Sequence, residues 1–440
     1  MTPWVRTVQV VPVVLIAIVL FGQGALSGLG VSPVLVTVGI LIVIAVLVAG
    51  VQFLAWDRLT YWIDAEGDFR IDSGILTRQQ RRLQLSRLQS VDVTQPLLAR
   101  VFGMAALTVE AAGAGDSRAS LSYLPLADAQ ALRNEVIARS AGMKADVGEA
   151  PEEPLVVVPP RDLIISLLLR GTTVVLFAVT VLIVVTTVFT AGTAGLLVLL
   201  TGGIPLLIVF GEFTTYFNFT VARSADGLRL RSGLFQIKSQ TIPPGRVQAV
   251  EFVQSWLWRR KDWVRVRLNV AGQPSADDGD GSSESVLLPV APYDVALDVV
   301  KHVLPGVDLR AISLSPAPAR ARKRAWIQFG RLGVGHDDRV FVTERGRFVS
   351  YLAVVPHART QSVRVTQGPW ERALDLATMH VDSPPGPVLI SALYRDAGEA
   401  RAIAEAQNQR AQAALLSDPS THWMRPENPP APPTEEPPTH

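Results

Sequence analysis

Residues 74–113 run Gly74-Ile75-Leu76, then Leu85-Ser86-Arg87-Leu88-Gln89-Ser90-Val91-Asp92-Val93, then Leu97-Leu98-Ala99-Arg100-Val101-Phe102-Gly103, and close on Leu107-Thr108-Val109-Glu110-Ala111-Ala112-Gly113. This stretch decides the fold because its framework occurs three times at one spacing. Gly74, Gly233 and Gly346 each stand 13 residues before an arginine, Arg87, Arg246 and Arg359. Each Arg is followed at +2 by Gln89, Gln248 or Gln361 and at +4 by Val91, Val250 or Val363. A second Gln comes at +8 (Gln95, Gln254, Gln367) and a second Arg at +13 (Arg100, Arg259, Arg372). Gapless self-similarity of this kind means one structural unit used three times. An enzyme centres on one asymmetric constellation of groups, so triplication points towards binding or scaffolding.

Around the framework the apolar pattern alternates. In repeat one, Tyr61–Ile63, Phe69–Asp72, Arg82–Leu85, Gln89–Val93, Leu107–Glu110 and Ala119–Tyr123 are short period-two runs broken by Gly, Ser or Asp, which predicts antiparallel strands. The period then changes, and Asp128 caps a predicted helix with Ala129, Leu132 and Val136 on one face. Repeat two gives strands at Gly227–Arg231, Val247–Phe252, Val264–Val270 and Ser285–Leu288, and a helix near Pro292–Val303. Repeat three gives Val340–Val342, Ser362–Val365, Ala377–Val381 and Val388–Ser391, with a helix over Asp396–Leu416. Each repeat is a β module of roughly 80 residues closed by one helix.

The motif over residues 74–113 resembles the bacterial pleckstrin-homology-like domain, in particular membrane proteins of the YdbS/YdbT type, in which helical hairpins alternate with such domains. Repeat three keeps only the framework: Gly346-Arg347-Phe348 replaces Gly-Ile-Leu, and Pro369-Trp370-Glu371 replaces Leu97-Leu98-Ala99. The resemblance implies two packed sheets and a C-terminal helix per module. It also implies a smaller one-hairpin, one-module partner of the same family. It supplies no catalytic residues.

Four uncharged apolar stretches, at 8–29, 34–55, 172–190 and 192–210, each approach the ~20 residues that cross a bilayer as a helix. They form two pairs with short links, which predicts two transmembrane hairpins; a cleaved signal peptide is the alternative for the first stretch. Arg6, Arg58, Arg161 and Arg170 flank the spans on one side. The positive-inside rule then places the N-terminus and the modules in the cytoplasm of a bacterial membrane. The absence of Cys agrees with a reducing compartment, and a net charge of +2 gives no reason to expect nucleic acid as a partner.

The expected organisation is hairpin one at 8–55, module one at 56–140, a linker at 141–160, hairpin two at 163–212, module two at 213–305, a linker at 306–325, a divergent module three at 326–416 and a Pro-rich disordered tail at 417–440. The fold class is therefore a mixed α and β membrane protein: four transmembrane helices in two hairpins, and three cytoplasmic modules each closed by a C-terminal helix. Two readings of the framework Arg and Gln stand. They make hydrogen bonds inside the module, or they bind phosphate headgroups or acidic peptides through the bidentate geometry of Arg. Trp256, Trp258, Arg259, Arg260, Lys261 and Trp263 form the most suggestive patch, since Trp favours the membrane interface and clustered cations favour an anionic leaflet. The competing reading has some of these Trp side chains filling the module. The six His are scattered, without metal-ligand spacing, and no nucleotide loop or nucleophile elbow occurs. No cofactor and no enzymatic activity are expected. A membrane scaffold or adaptor is the leading functional reading, with lipid-headgroup sensing second; lipids, a family partner and oligomers are the expected associations.

Overall fold

The computed structural model describes residues 60–64, 68–73, 79–84, 88–111, 118–140, 153–191, 204–224, 227–242, 245–270, 286–384 and 386–417. Hairpin one, residues 192–203 of the fourth apolar stretch, Gly74, Arg87, residues 271–285 and the expected tail beyond 417 lie outside them.

Repeat one folds as β1 (Thr60–Ile63), β2 (Asp68–Ser73), β3 (Gln79–Gln84), β4 (Leu88–Gln95), α1 (Leu97–Val101), β5 (Met104–Ala111), β6 (Arg118–Pro125) and α2 (Leu126–Ser140). The next segment gives β7 (Glu153–Val157), α3 (Pro160–Leu168), α4 (Gly171–Ala191) and α5 (Ile204–Tyr216). Repeat two then supplies β8 (Thr220–Ser224), β9 (Gly227–Ser232), β10 (Ile237–Ile242), β11 (Val247–Ser255), β12 (Trp263–Val270), β13 (Val286–Pro292) and α6 (Tyr293–Val303). Repeat three supplies β14 (Ser315–Pro316), β15 (Gly333–His336), β16 (Val340–Arg345), β17 (Val349–Pro356), β18 (Ser362–Thr366), α7 (Pro369–Ala373), β19 (Leu376–Asp382), β20 (Ile390–Asp396) and α8 (Ala397–Ser417).

The chain forms two units, Met1–Glu149 with Gly233–Gln240, and Ala150–Ser232 with Thr241–His440. In the first, β1-β2-β3 make one antiparallel sheet. A second sheet runs β6-β5-β4 and continues past β4 into β10, a strand of repeat two. Phe69, Val91, Leu107, Val109 and Leu121 are buried here.

In the second unit, β13-β12-β11-β17-β16-β15-β14 form one seven-stranded sheet. Its central pair joins repeat two to repeat three, with Val250 opposite Val354, Glu251 opposite Ala353 and Phe252 opposite Leu352. Alternate residues serve different cores. Val250, Phe252, Val342 and Val354 enter a core with β12, β13 and α6, whereas Ala249, Phe341, Ala353 and Val355 enter one with β19, β20 and α8. With a core on each face, β11 is buried from Val247 to Phe252, and its polar Glu251 is held by Arg267 and Arg345. Asn269 adds a buried tie between the repeats, accepting from Val388 N at 2.8 Å and donating to Val388 O at 3.0 Å. The remaining sheet, β18-β19-β20, carries α8 on one face.

Several expectations change here. The segment 306–325 reads as a linker, yet Ala317 and Ala321 are buried, β14 pairs with β15, and Arg395 of β20 donates to Ser315 O at 3.0 Å. Its alanines are small enough for backbone to pack closely, and Pro hides that in a composition reading. Part of the 141–160 linker is likewise strand β7, paired with β8. The four-helix expectation survives only in coarser form. Among the described residues no single helix is long and apolar enough to cross a membrane, but the pair Pro160–Leu168 and Gly171–Thr187, bent by 55°, passes when joined. The bend arises because α3 buries Leu163, Ser166 and Leu167 against module two instead of continuing α4. Pro205 sits in the first turn of α5, where a missing N–H costs nothing.

Candidate membrane-proximal site

The framework residues build a turn and a corner. Gly233 and Gly346 have φ of +118° and +85°. A Cβ on either would lie 1.9 Å from Gln236 O or 2.0 Å from Val349 O, so only glycine fits. At the corner, the second framework Gln ends a strand, a short helix follows, and a left-handed residue starts the next strand. Those residues are Gly103, Asp262 and Asp375, with φ of 66°, 50° and 51°. Gln254 Nε2 donates to Trp263 O at 3.3 Å and Gln367 Nε2 to Leu376 O at 2.9 Å, crossing the corner in both repeats; Gln95 is buried at the same place. Gln248 Nε2 donates to Arg246 O at 3.1 Å. The first-framework arginines of repeats two and three lie near one another: burial, then the charge of Arg359, holds Arg246 below its usual pKa. Arg100 lies in the last turn of α1, and Arg372 is exposed on α7.

The aromatic-basic patch divides. Trp258 and Trp263 are buried in the core of module two, and Trp258 Nε1 donates to Ser166 O of α3 at 3.0 Å. Arg259 donates to the backbone carbonyl of Arg347. Burial pulls its guanidinium below the usual value, and the neighbouring Arg331 and Arg347 pull in the same direction. Exposed are Trp256, Arg260 and Lys261, with Lys261 Nζ 4.5 Å from the Trp263 ring centroid. The turn of repeat three stands beside them: Trp256 N donates to Phe348 O at 2.7 Å, and Arg347 and Phe348 are exposed.

This tip meets the foot of the apolar helix. A Cβ on Gly171, the first residue of α4, would lie 3.5 Å from Ser255 Oγ and 3.9 Å from Trp256 Nε1. Arg170 Nη1 donates to both Glu212 carboxylate oxygens, at 2.6 and 2.9 Å, closing α4 against α5. Arg265 of β12 donates to Tyr216 Oη at 2.7 Å and lies 3.9 Å from Glu212. Charge-assisted hydrogen bonds of this partly buried kind are stronger than neutral ones. Module two is thus fastened to the helical segment by Trp258 and Arg265. The sequence carried a signal for the clamp in Glu212, the first charge after a long apolar run. Its partners are 42 and 53 residues away and could not be read.

A cleft of about 340 Å³ between repeats two and three is lined by Phe252, Tyr293, Leu314, Arg331, Glu344 and Ser350 among others. Arg331 and Glu344 pair across it, Nη1 3.0 Å from Oε1. Among the described residues no group of three or more His, Asp or Glu is placed to hold a metal ion.

Compared with known families, the sequence model described as "Bacterial PH domain" matches residues 11–140, 167–307 and 308–411. The chain belongs to the bacterial PH domain family. Three consecutive family matches coincide with the three repeats, the first two also taking in residues of the apolar stretches. One relative of the family is the "UPF0699 transmembrane protein YdbT" of Bacillus subtilis (strain 168), 22% identical over 273 residues. The match covers 54% of this chain and 55% of the relative, so the chain spans about half the length of the curated relative it matches.

Proposed function

We propose that this bacterial PH domain protein is a membrane-anchored scaffold, holding its modules at the cytoplasmic face of a bacterial membrane for protein–protein contacts. The observation that carries the reading is the fastening of module two to α3–α5 through Trp258–Ser166 and Arg265–Tyr216, with Arg170–Glu212 holding α4 against α5 inside that segment. A module so held has a fixed pose on its apolar helices, which suits presentation of a surface better than turnover of a substrate. The relative's name, a transmembrane protein, supports a membrane location, and the flanking arginines favour the cytoplasmic side. Purification of the tagged full chain from native membranes in mild detergent tests the reading. A second protein in fixed ratio is the expected result, and a chain carrying lipid alone would count against it.

The exposed tip favours lipid-headgroup contact as a second reading, because Trp256 and Phe348 stand next to Arg260, Lys261 and Arg347. In nanodiscs with brominated anionic lipid, Trp256→Phe should remove a quenchable share of the tryptophan emission. Unchanged quenching would place Trp256 away from lipid.

A further inference from the structure

Two module junctions in this chain follow one rule. The first strand of one repeat's second sheet accepts, along its free edge, the third strand of the next repeat: β4 lies beside β10, and β11 beside β17. β18 is the same strand of repeat three, since Val363 occupies the framework place of Val91 and Val250. Yet among the described residues β18 ends its sheet, paired with β19 only. Its residues 362–366 are exposed or half-buried, whereas β11 is buried over its first six residues. α8 packs against this small sheet without burying Ser362 or Arg364. An edge strand with its N–H and C=O groups unpaired is a template for an added strand.

The charges say which strand. At each formed junction the position after the framework Val is an acid that meets a cation from the following repeat. Asp92 is 3.6 Å from Lys238, and Glu251 is 3.3 Å from Arg345 while also bound by Arg267 at 2.5 Å. In β18 that position is Arg364, exposed and beside Asp382 at 3.3 Å. The sign is reversed. β3, the third strand that a second copy would offer, reads Gln-Gln-Arg-Arg-Leu-Gln and would set like charge against Arg364, which destabilises a cross-strand pair. The chain's own tail carries eight prolines in residues 417–440 and lacks the donors that a ladder requires.

We infer that the free edge of β18 is a docking site for the third strand of a PH-like module on a different polypeptide, one with an acidic residue opposite Arg364. Arg364 thereby selects against self-chaining as well as for the partner. The inference rests on the scaffold reading and gives it a place on the molecule.

The test uses the full chain in detergent and two synthetic peptides with the sequence of residues 347–357, carrying Ala353→Glu or Ala353→Arg. Residue 353 faces Glu251 in the observed junction and would face Arg364 on β18. Fluorescence anisotropy should show the Glu peptide binding at least ~10-fold more tightly than the Arg peptide, about 1.4 kcal/mol. Arg364→Glu should invert that order, with thermal unfolding reporting that the variant is folded. Equal binding of both peptides, no binding, or an order unchanged by Arg364→Glu would each overturn the site. A photo-crosslinker at Ser362 in native membranes should give an adduct with a second PH-domain polypeptide, and an adduct with another copy of this chain would overturn the choice of partner. If the peptides fail while purification still yields a stoichiometric protein, the scaffold reading stands and the β18 site falls.

Discussion

At the scale of residues, the framework glycine and one buried histidine make distinct predictions. Gly346→Ala puts a Cβ 2.0 Å from Val349 O at a φ of +85°. The strained backbone should cost on the order of 1–3 kcal/mol, read as a lower denaturation midpoint with the same slope. His357 is 1% exposed, with Nε2 3.0 Å from Asp337 O and Nδ1 buried without a hydrogen-bond partner. Burial is the main reason its pKa lies below the ordinary value, helped by Arg410 and His336 and opposed by the Asp337 carbonyl and carboxylate. A depressed folded-state pKa means that the neutral ring stabilises the fold above the unfolded value of about 6.5 and that this stability is lost as pH falls through the folded value. His380 shifts the same way, through burial and then Arg364. Melting temperatures from pH 8 to pH 5 should therefore fall in the native protein, fall less in His357→Gln and be flattest with His380→Gln added. A histidine-independent slope would refute the assignment. Glu251 differs from both. Burial raises its pKa, while Arg267 and Arg345 work against that rise.

At the scale of elements, α3 is packed on module two through Leu163 and Leu167 and tied to it by the Trp258 indole. Trp258→Phe keeps the ring in the core but deletes the bond to Ser166 O, and losing one buried partner costs about 1–3 kcal/mol. Amide exchange in α3 should quicken while β18–β20 keep their protection; uniform change would show that α3 is not separately fastened. Most strands were legible because their period-two runs are local: β2, β5, β12 and β16 fall where alternation puts them. β15 was not, because Gly333-Val334-Gly335-His336 has no apolar alternation and owes its place to pairing with β16. Nor was the division of the tryptophans. Trp256 and Trp258 are two residues apart in a corner, and only the fold decides that one is 51% exposed and the other 4%. The framework glutamines were legible as repeated, but the carbonyls that Gln254 and Gln367 satisfy lie across a corner whose geometry is set by the left-handed residue.

At the scale of the molecule, repeats two and three are one body. Their sheet is continuous through β11 and β17, and Glu251 of one repeat is neutralised by Arg345 of the other. Ending the chain after Leu304 would leave β11 with an open edge and Glu251 with one arginine fewer. In detergent size-exclusion runs that keep the full chain monodisperse, such a truncation should self-associate or precipitate; a well-behaved monomer would contradict the shared-sheet account. The same continuity has a consequence in time. β11 leaves the ribosome ~100 residues before its partner β17 is complete, an interval of roughly 5–20 s at ordinary synthesis rates. Once β12 and β13 have followed, the nascent chain carries the open edge of β11 until β17 arrives. The order of translation thus sets when this protein is most exposed to mispairing, and slow codons between residues 255 and 349 would lengthen the danger without changing one amino acid.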